Sequence, residues 1–254
     1  MLRIFAKHFF YMNYEIDQTK LTERILTIVK AVGVIAGLYV FLTFVIIFLL
    51  YTLGFIQMTG STEALFQINT PEGLEQLLAQ NSTEIIILNL LISIVLHFLL
   101  SGIYGIIIKS ATSPFIGLGD AFKLLFTGRG FKVLLYIILA QIIITSINYF
   151  FSFYDLAMVG FAIGALIQFL TYFTPLLIYV ENSNFFKAIS ESIHLINSKP
   201  LFFIPVVLFT YMISLSGVLL FGIGIIFTLP INFIMAYSLY SIIKESRKSS
   251  EIES

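Results

Sequence analysis

Long apolar segments alternate with short polar segments along the chain. About 20 apolar residues in a helix, each rising 1.5 Å, cross the 30 Å hydrocarbon core of a bilayer. The segment between Lys199 and Lys244 is uncharged and long enough for two crossings, with a turn around residues 216–224. The other apolar segments each fit one crossing, at roughly 31–53, 85–108, 133–151 and 156–180. The pattern therefore predicts an all-α polytopic membrane protein with six transmembrane helices.

The composition supports this class of protein. The 254 residues are 59% hydrophobic and only 11% charged, whereas soluble domains average about 45–50% and about 25%. There is too little polar surface to cover a soluble core of this size. The chain has no cysteine, which excludes disulfides, thiolate metal sites and cysteine nucleophiles.

The basic residues predict the orientation in the membrane. All 14 Lys and Arg residues fall in four clusters, at 3–30, 109–132, 187–199 and 244–248. The first loop between clusters, 57–84, carries four glutamates and no basic residue, and Asp155 is the only charge in the second turn. Because short cytoplasmic segments are enriched in Lys and Arg, we expect both termini to be cytoplasmic. The expected location is the bacterial cytoplasmic (inner) membrane.

Amphipathic patterns predict helices within the basic clusters. In residues 185–196 apolar side chains recur on one helical face, with Lys187 and His194 on the other. Asp120 is a candidate N-cap for a short helix 121–127 that Gly128 would end. Residues 19–30 are a third candidate. We expect these helices to lie in the cytoplasmic interface, held near anionic lipids by their basic residues.

The spacing predicts an internal repeat in which an interfacial helix precedes an in–out–in hairpin. Ala121 and Ala188 stand the same distance before Lys132 and Lys199, each followed by an apolar span. The fold expected is three parallel hairpins in a single membrane domain, 1–254. Its parts are an amphipathic segment 1–30, hairpin 1 at 31–110 with the exterior loop 57–84, an interfacial helix with hairpin 2 at 111–181, and an interfacial helix with hairpin 3 and a cytoplasmic tail at 182–254. Within the exterior loop, Thr70-Pro71-Glu72 predicts a helix start.

Two motifs resemble known families. Ala-Ile-Ser-Glu-Ser at 188–192 precedes a span that begins with proline, and the last span contains Leu229-Pro230 and ends in Tyr237-Ser-Leu-Tyr240. Over about residues 110–244 the chain resembles the DUF975-like bacterial proteins and the membrane domain attached to some glycerophosphoryl diester phosphodiesterases. The resemblance implies a six-helix membrane module of unassigned activity. No segment is long enough for the phosphodiesterase barrel, so that activity is not implied.

Polar residues within the apolar segments are the candidate functional residues. They form a stripe along the second span and continue on three other spans: Asn89, Ser93, His97 and Ser101, then Gln141, Thr145, Gln168 and Asn232. A polar side chain without a partner is costly in hydrocarbon, so these residues should face inward and bond one another. His97 is the sharpest candidate, because an imidazole changes charge near neutral pH. They either line a polar cavity or join packed helices.

Small residues and prolines are further candidates. Gly33 with Gly37, and Gly160 with Gly164, have the four-residue spacing of closely packed membrane helices. Pro175, Pro205 and Pro230 lie inside spans four, five and six, where a proline either kinks a helix or opens a binding site.

No catalytic motif is recognisable. The chain lacks a His-Glu-x-x-His zinc motif, a Gly-x-Ser-x-Gly elbow and a phosphate-binding glycine loop. We therefore expect a non-enzymatic protein with no cofactor and no nucleic-acid partner. The first hypothesis is a scaffold or accessory subunit that binds membrane lipids or another membrane protein. The second is a transporter or permease for a small or lipidic solute.

Overall fold

The structure is a computed structural model that describes residues 16–59, 82–219 and 222–252. The described residues form ten α-helices and one 3-10 helix, Gly217–Leu219. The α-helices are α1 (Gln18–Thr59), α2 (Ser82–Ser101), α3 (Ile103–Ser110), α4 (Leu118–Leu125), α5 (Gly128–Phe153), α6 (Ala157–Leu170), α7 (Thr174–Glu181), α8 (Phe185–Ser198), α9 (Pro200–Ser216) and α10 (Ile225–Ile252). The helix expected after Thr70 lies outside the described residues, as do residues 1–15.

Six helical segments in the described part of the chain are long and apolar enough to cross a membrane. They correspond to α1, α2 with α3, α5, α6 with α7, α9 with the 3-10 helix, and α10. Large apolar side chains cover their outer surface; Phe48, Phe161 and Phe209 are each more than 60% exposed. An exposed apolar surface of this extent suits a hydrocarbon solvent. The prediction of an all-helical chain with six helices long and apolar enough to span a membrane is confirmed for the described residues.

The first span begins earlier than its apolar residues indicate. Residues 19–30 form no separate helix but the first three turns of α1, which is 42 residues long. Asp17 starts this helix, since its Oδ1 accepts hydrogen bonds from the backbone N–H groups of Thr19 (2.9 Å) and Lys20 (3.2 Å). No glycine or proline interrupts the chain before Gly33, so the helix continues directly into the apolar segment.

The second and fourth spans are each broken near one end. Gly102 separates α2 from α3, and residues 171–173 separate α6 from α7. The pieces that follow the breaks, α3 and α7, are both eight residues long. The next helix in each case packs against the short piece, α4 on α3 and α8 on α7. Each helix that precedes the third or fifth span thus packs against the short piece just before it, while the predicted repeat stays a prediction.

Helix α4 begins and ends differently from the expectation. It starts at Leu118, and Asp120 occupies the third helical position, where its Oδ2 accepts the Gly117 N–H at 2.9 Å. Gly128 is the first residue of α5, whose N-cap is Thr127; the Thr127 hydroxyl accepts the Gly130 N–H at 3.1 Å. The acid of a capping box sits three residues after the cap, which accounts for the shift.

Helix α8 confirms the helix predicted at 185–196, but a different face is buried. The buried residues are Ala188, Ser192, Leu195 and Ile196, whereas Phe186 is 69% exposed. The small side chains of Ala188 and Ser192 let the backbone of α8 approach its neighbours closely. Phe185 and Ile189 of the predicted apolar face are only partly buried against the core, while Ile196 belongs to both faces.

The spans form a closed arrangement around a buried core of aliphatic and aromatic side chains. Helix α10 packs against α1, α1 against α2, α2 against α5, and α5 against α6. Rings close the arrangement between the fourth and fifth spans, where the Phe173–Phe203 centroids lie 5.8 Å apart and the Tyr172–Tyr211 centroids 6.0 Å apart.

Both glycines of the pair Gly160 and Gly164 contact a neighbouring helix, but only Gly37 of the pair Gly33 and Gly37 does. A Cβ on Gly160 would lie 3.1 Å from the Asn148 Cα, and one on Gly164 would lie 3.2 Å from the Ile144 side chain, so α5 and α6 meet closely there. Gly37 meets the Ile226 carbonyl oxygen of α10, at 3.4 Å from an added Cβ, while Gly33 meets no other helix. Of the prolines, Pro175 follows the break before α7, and Pro205 and Pro230 lie within continuous helices.

Candidate functional site

The polar stripe of the second span is shared between two neighbouring helices. Asn89 faces α1, where its Oδ1 accepts a hydrogen bond from the Tyr51 hydroxyl at 2.5 Å. One turn later, Ser93 faces α5 and donates to the Gln141 Oε1 at 3.0 Å. Gln141 is only 7% exposed. The stripe thus joins α2 to both helices that flank it.

His97 lies beside the Ser93–Gln141 pair. Its Nδ1 is 2.8 Å from the Ser93 carbonyl oxygen and 3.4 Å from both the Ser93 Oγ and the Gln141 Nε2. A carbonyl oxygen only accepts hydrogen bonds, so the neutral imidazole carries its proton on Nδ1. The ring is exposed, and Nε2 has no hydrogen-bond partner among the described residues. Nε2 is therefore a free acceptor.

The break in the second span is lined by hydroxyl groups. The Ser101 Oγ lies 2.9 Å from the Tyr179 hydroxyl of α7, and both side chains are buried. The Tyr39 hydroxyl of α1 donates to the Leu99 carbonyl oxygen at 2.7 Å. A Cβ at Gly102 would lie only 2.5 Å from that Tyr39 oxygen. The glycine therefore gives the tyrosine access to a carbonyl near the break.

The remaining predicted residues lie apart from this group. Thr145 is half-buried and Gln168 is exposed; no hydrogen bond in the described part of the chain joins either to the stripe. Asn232, on α10, accepts the Tyr172 hydroxyl through its backbone oxygen at 2.8 Å. Its side-chain Oδ1 is buried without a partner in the described structure. The eight predicted residues thus occupy several interfaces.

The break in the fourth span is closed by a residue that sequence reasoning did not select. Ser192 of α8 is fully buried. Its hydroxyl donates to the Leu170 carbonyl oxygen at 2.9 Å and accepts the Phe173 N–H at 3.1 Å. The side chain therefore satisfies one backbone group on each side of the break. Ser192 lies within the Ala-Ile-Ser-Glu-Ser motif, but its spacing alone does not indicate a partner 19 residues earlier.

A polar network joins the ends of α7 and α10. The Tyr240 hydroxyl donates to the Glu181 Oε1 at 2.5 Å and accepts from the Lys244 Nζ at 3.0 Å. Lys244 also lies 3.6 Å from the same carboxylate oxygen. Tyr240 therefore links α7 to α10 through hydrogen bonds to the Glu181 carboxylate and the Lys244 ammonium group.

Basic residues of α5 bind the backbone at the end of α7. The Arg129 guanidinium donates to the Tyr179 carbonyl oxygen at 2.8 Å. The Lys132 Nζ donates to the Asn182 backbone oxygen at 3.2 Å and to its Oδ1 at 3.0 Å. Cations at a helix C-terminus satisfy unpaired carbonyls and interact favourably with the helix dipole. Two residues of the predicted basic clusters therefore have a packing role as well.

A cleft opens between α1, the end of α3 and α10. It has a volume of about 530 Å³. Residues with charged or hydroxyl groups form much of its wall, with Ile28 and Ala31 as apolar neighbours; they are Lys20, Glu23, Arg24, Thr27, Ser110, Tyr237, Ser241 and Glu245. Arg24 and Glu245 form an ion pair across it at 2.8 Å. We refer to this feature as the α1–α10 cleft. Its residues are distant in sequence, which is why no local pattern indicates it.

The described residues contain no group of three or more His, Cys, Asp and Glu side chains that could hold a metal ion. Comparison of the chain with protein-family models, curated proteins and solved structures finds no match. The resemblance to the DUF975-like and phosphodiesterase-associated membrane domains stays a prediction. The fold and the apolar surface define the class as an integral membrane protein with six candidate spans.

Proposed function

We propose that this protein is a non-enzymatic scaffold or accessory subunit of the membrane that binds a lipid or another membrane protein. The observation that carries the proposal is the use of the predicted polar residues in separate helix contacts. Asn89 bonds to α1, Ser93 to α5 and Ser101 to α7. Such bonds hold membrane helices together at about 0.6–1.7 kcal/mol each. Polar side chains that bond to neighbouring helices stabilise the packing of the spans and do not line a path for a solute.

We further propose three parallel in–out–in hairpins with both termini in the cytoplasm of a bacterial cell. Helix contacts support this topology. The second span contacts the third through α2 and α5, the fourth contacts the fifth through Phe173 and Phe203, and the sixth contacts the first through α10 and α1. Each hairpin thus uses its second helix to meet the first helix of another hairpin.

The helices between hairpins are proposed to lie in the cytoplasmic interface. Large apolar side chains in or beside these helices remain outside the packed core: Phe115 in the loop before α4 is 86% exposed, Phe126 at the C-cap of α4 83%, and Phe186 of α8 69%. Exposed Lys123 and Lys187 lie nearby in sequence. Aromatic residues that enter the acyl boundary, with lysines that reach the headgroups, are typical of interfacial helices.

A transporter or permease for a small or lipidic solute is the second candidate. The observation in its favour is His97, whose Nε2 is a free acceptor on an exposed ring in the second span. Ionisable residues within membrane spans frequently belong to substrate or proton pathways. The side-chain oxygen atoms of Asn232 and Ser238 are also buried without hydrogen-bond partners among the described residues, as expected of groups that contact water or a solute.

Purification of the whole chain in mild detergent, followed by identification of bound lipids and proteins, tests the proposal. A scaffold retains a lipid or partner in a fixed ratio, and His97→Ala changes its stability more than that ratio. Uptake of a solute into proteoliposomes, lost in His97→Ala while folding and expression are unchanged, overturns the scaffold proposal and supports transport. Gln168→Ala is the matched control, because Gln168 lies outside the Ser93–His97–Gln141 group.

A further inference from the structure

We propose that the α1–α10 cleft binds the phosphoethanolamine headgroup of a zwitterionic phospholipid. The inference rests on the proposed function, since it names a lipid and the place where that lipid binds. The volume of about 530 Å³ falls within the range of about 300–1,000 Å³ that is usual for ligand sites.

The position of the cleft along α1 suits an amphiphile. Its wall extends from Lys20, in the charged first turns, to Ala31, where the apolar segment begins. At 1.5 Å per residue this distance is about 16 Å. Ile28 is buried and Ala31 is exposed, so α1 presents a methyl group rather than a polar atom at this end. A ligand that fills the cleft therefore meets charge at one end and hydrocarbon at the other.

The charges in the cleft match a zwitterion. The wall carries two cations, Lys20 and Arg24, and two carboxylates, Glu23 and Glu245, so its net charge is zero. An anionic headgroup would meet as many carboxylates as cations. A phosphoethanolamine group has a phosphate for the cations and an ammonium group for the carboxylates, and the ammonium N–H groups donate hydrogen bonds to oxygen.

Three polar groups of the wall are unoccupied by the protein itself. Arg24 and Glu245 bind each other. In contrast, the Lys20 ammonium, the Glu23 carboxylate and the Tyr237 hydroxyl have no hydrogen-bond or ion-pair partner among the described residues, although Lys20 and Glu23 are three positions apart on one helix. Lys20 is thus available as a donor to a phosphate, and Glu23 as the acceptor for an ammonium group.

The cleft is lined by three helices that are distant in the sequence. It brings the start of α1 and the end of α10 together with Ser110 and Ala111 at the end of α3. A lipid held there contacts the first, second and sixth spans at once. Binding should therefore stabilise the closure of the helix arrangement, because a ligand that binds only the folded state raises its stability.

Native mass spectrometry of the full chain, delipidated in detergent and titrated with phospholipids of identical acyl chains, tests the inference. We expect phosphatidylethanolamine to bind at least fivefold more tightly than phosphatidylcholine or phosphatidylglycerol. Phosphatidylcholine keeps the phosphate but has no N–H donor, and phosphatidylglycerol has no cation. Equal binding of all three, or tightest binding of phosphatidylglycerol, overturns the assignment.

Variants localise the effect. Lys20→Gln and Glu23→Gln should each weaken binding of phosphatidylethanolamine about three- to tenfold, since hydrogen bonds to charged groups are strong but weaker where solvent reaches them. Glu23→Gln should also abolish the preference over phosphatidylcholine. Glu84→Gln, which changes an exposed carboxylate in the first turn of α2 outside the cleft, is the control and should bind like the unmodified chain. If Glu23→Gln retains the preference, the headgroup does not bind in this cleft.

A steric variant and a soluble probe separate the two ends of the ligand. Ala31→Phe should block the lipid without changing any charge, whereas Val34→Phe, on the exposed outer face one turn along, should not. Soluble glycerophosphoethanolamine should compete only weakly, because it lacks the acyl chain; competition as strong as that of the lipid refutes an amphiphile site. Retention of a different lipid or of a protein would overturn this inference and leave the scaffold proposal intact. Solute uptake would overturn the scaffold proposal and leave the lipid site in the cleft intact.

Discussion

The hydroxyl of Ser192 accepts the backbone N–H of Phe173 at 3.1 Å, although the two residues belong to different helices. Phe173 lies at the break between α6 and α7, and Ser192 lies on the helix that follows. An unpaired backbone group is costly inside a membrane protein, so a broken span needs such a partner. The fourth span is thus supported by α8, which the sequence pattern describes only as an interfacial helix.

We expect Ser192→Ala to lower the free energy of unfolding by about 1–3 kcal/mol, because the buried Phe173 N–H loses its acceptor. The measurement is SDS titration followed by circular dichroism. Ser190→Ala, on the exposed side of α8, is the control and should unfold like the unmodified chain. Equal stability of the two variants would show that the break is supported by other contacts.

Gly105 is expected to tolerate no side chain. An added Cβ would lie 2.5 Å from the Asp120 carbonyl oxygen and 3.0 Å from the Leu124 Cβ, so Gly105→Ala must push α4 away from α3. Overpacking of this kind costs about 1–3 kcal/mol. Gly33→Ala is the matched variant, since its Cβ would meet only Val29 of the same helix, at 3.7 Å. It should be neutral or stabilise by up to about 1 kcal/mol, as measured by the same titration.

Ser93 and Gln141 should be energetically coupled. In a double-mutant cycle of Ser93→Ala and Gln141→Leu, we expect a coupling energy of about 0.6–1.7 kcal/mol, the range for hydrogen bonds between membrane helices. The control cycle pairs Ser93→Ala with Gln168→Leu, and its coupling should be near zero because no hydrogen bond joins these residues. Coupling of similar size in both cycles would contradict the assignment of a specific α2–α5 bond.

The Tyr240 network should contribute a salt-dependent part of the stability. Tyr240→Phe removes the hydrogen bonds to Glu181 and Lys244 and should cost about 1 kcal/mol. Glu181→Gln should cost less at high salt than at low salt, because the Glu181 and Lys244 side chains are 32% and 46% exposed. Unfolding titrations at two ionic strengths give both values. Tyr154→Phe, an exposed tyrosine near the end of α5, should have no effect at either.

The orientation of the hairpins is testable by single-cysteine labelling, since the chain has no cysteine of its own. In intact cells a membrane-impermeant maleimide should label Tyr154→Cys and Ile223→Cys. It should not label Ser113→Cys or Lys187→Cys until the membrane is permeabilised. Labelling of the second pair in intact cells would reverse the orientation, and labelling of one member of each pair would refute three parallel hairpins.

The polar stripe illustrates how much of the candidate site can be predicted from the sequence. The four-residue spacing of Asn89, Ser93 and His97 is a local property, and the conclusion that these residues need partners followed from the cost of polar groups in hydrocarbon. Which partners they find depends on the neighbouring helices. The sequence selects Gln141 and Gln168 on the same grounds, but only Gln141 is bonded to Ser93.

The cleft and the helix breaks also cannot be predicted from the sequence, because they depend on contacts between helices that are distant along the chain. Gly102 and Gly105 look alike in the sequence, but one lies beside the Tyr39 hydroxyl and the other beside the α4 backbone. Lys20 and Tyr237 line one cleft although more than two hundred positions separate them. Such contacts depend on how distant helices pack against each other.

The sequence by itself determined the class of protein, the number of candidate spans, the places of the turns and the helix at α8. These features follow from the length and period of apolar segments, which act along one helix at a time. The tertiary structure decided which polar groups meet, where two spans break and where the α1–α10 cleft opens. Those outcomes depend on the side chain that a neighbouring helix presents, as Ser192 does to the backbone at Phe173.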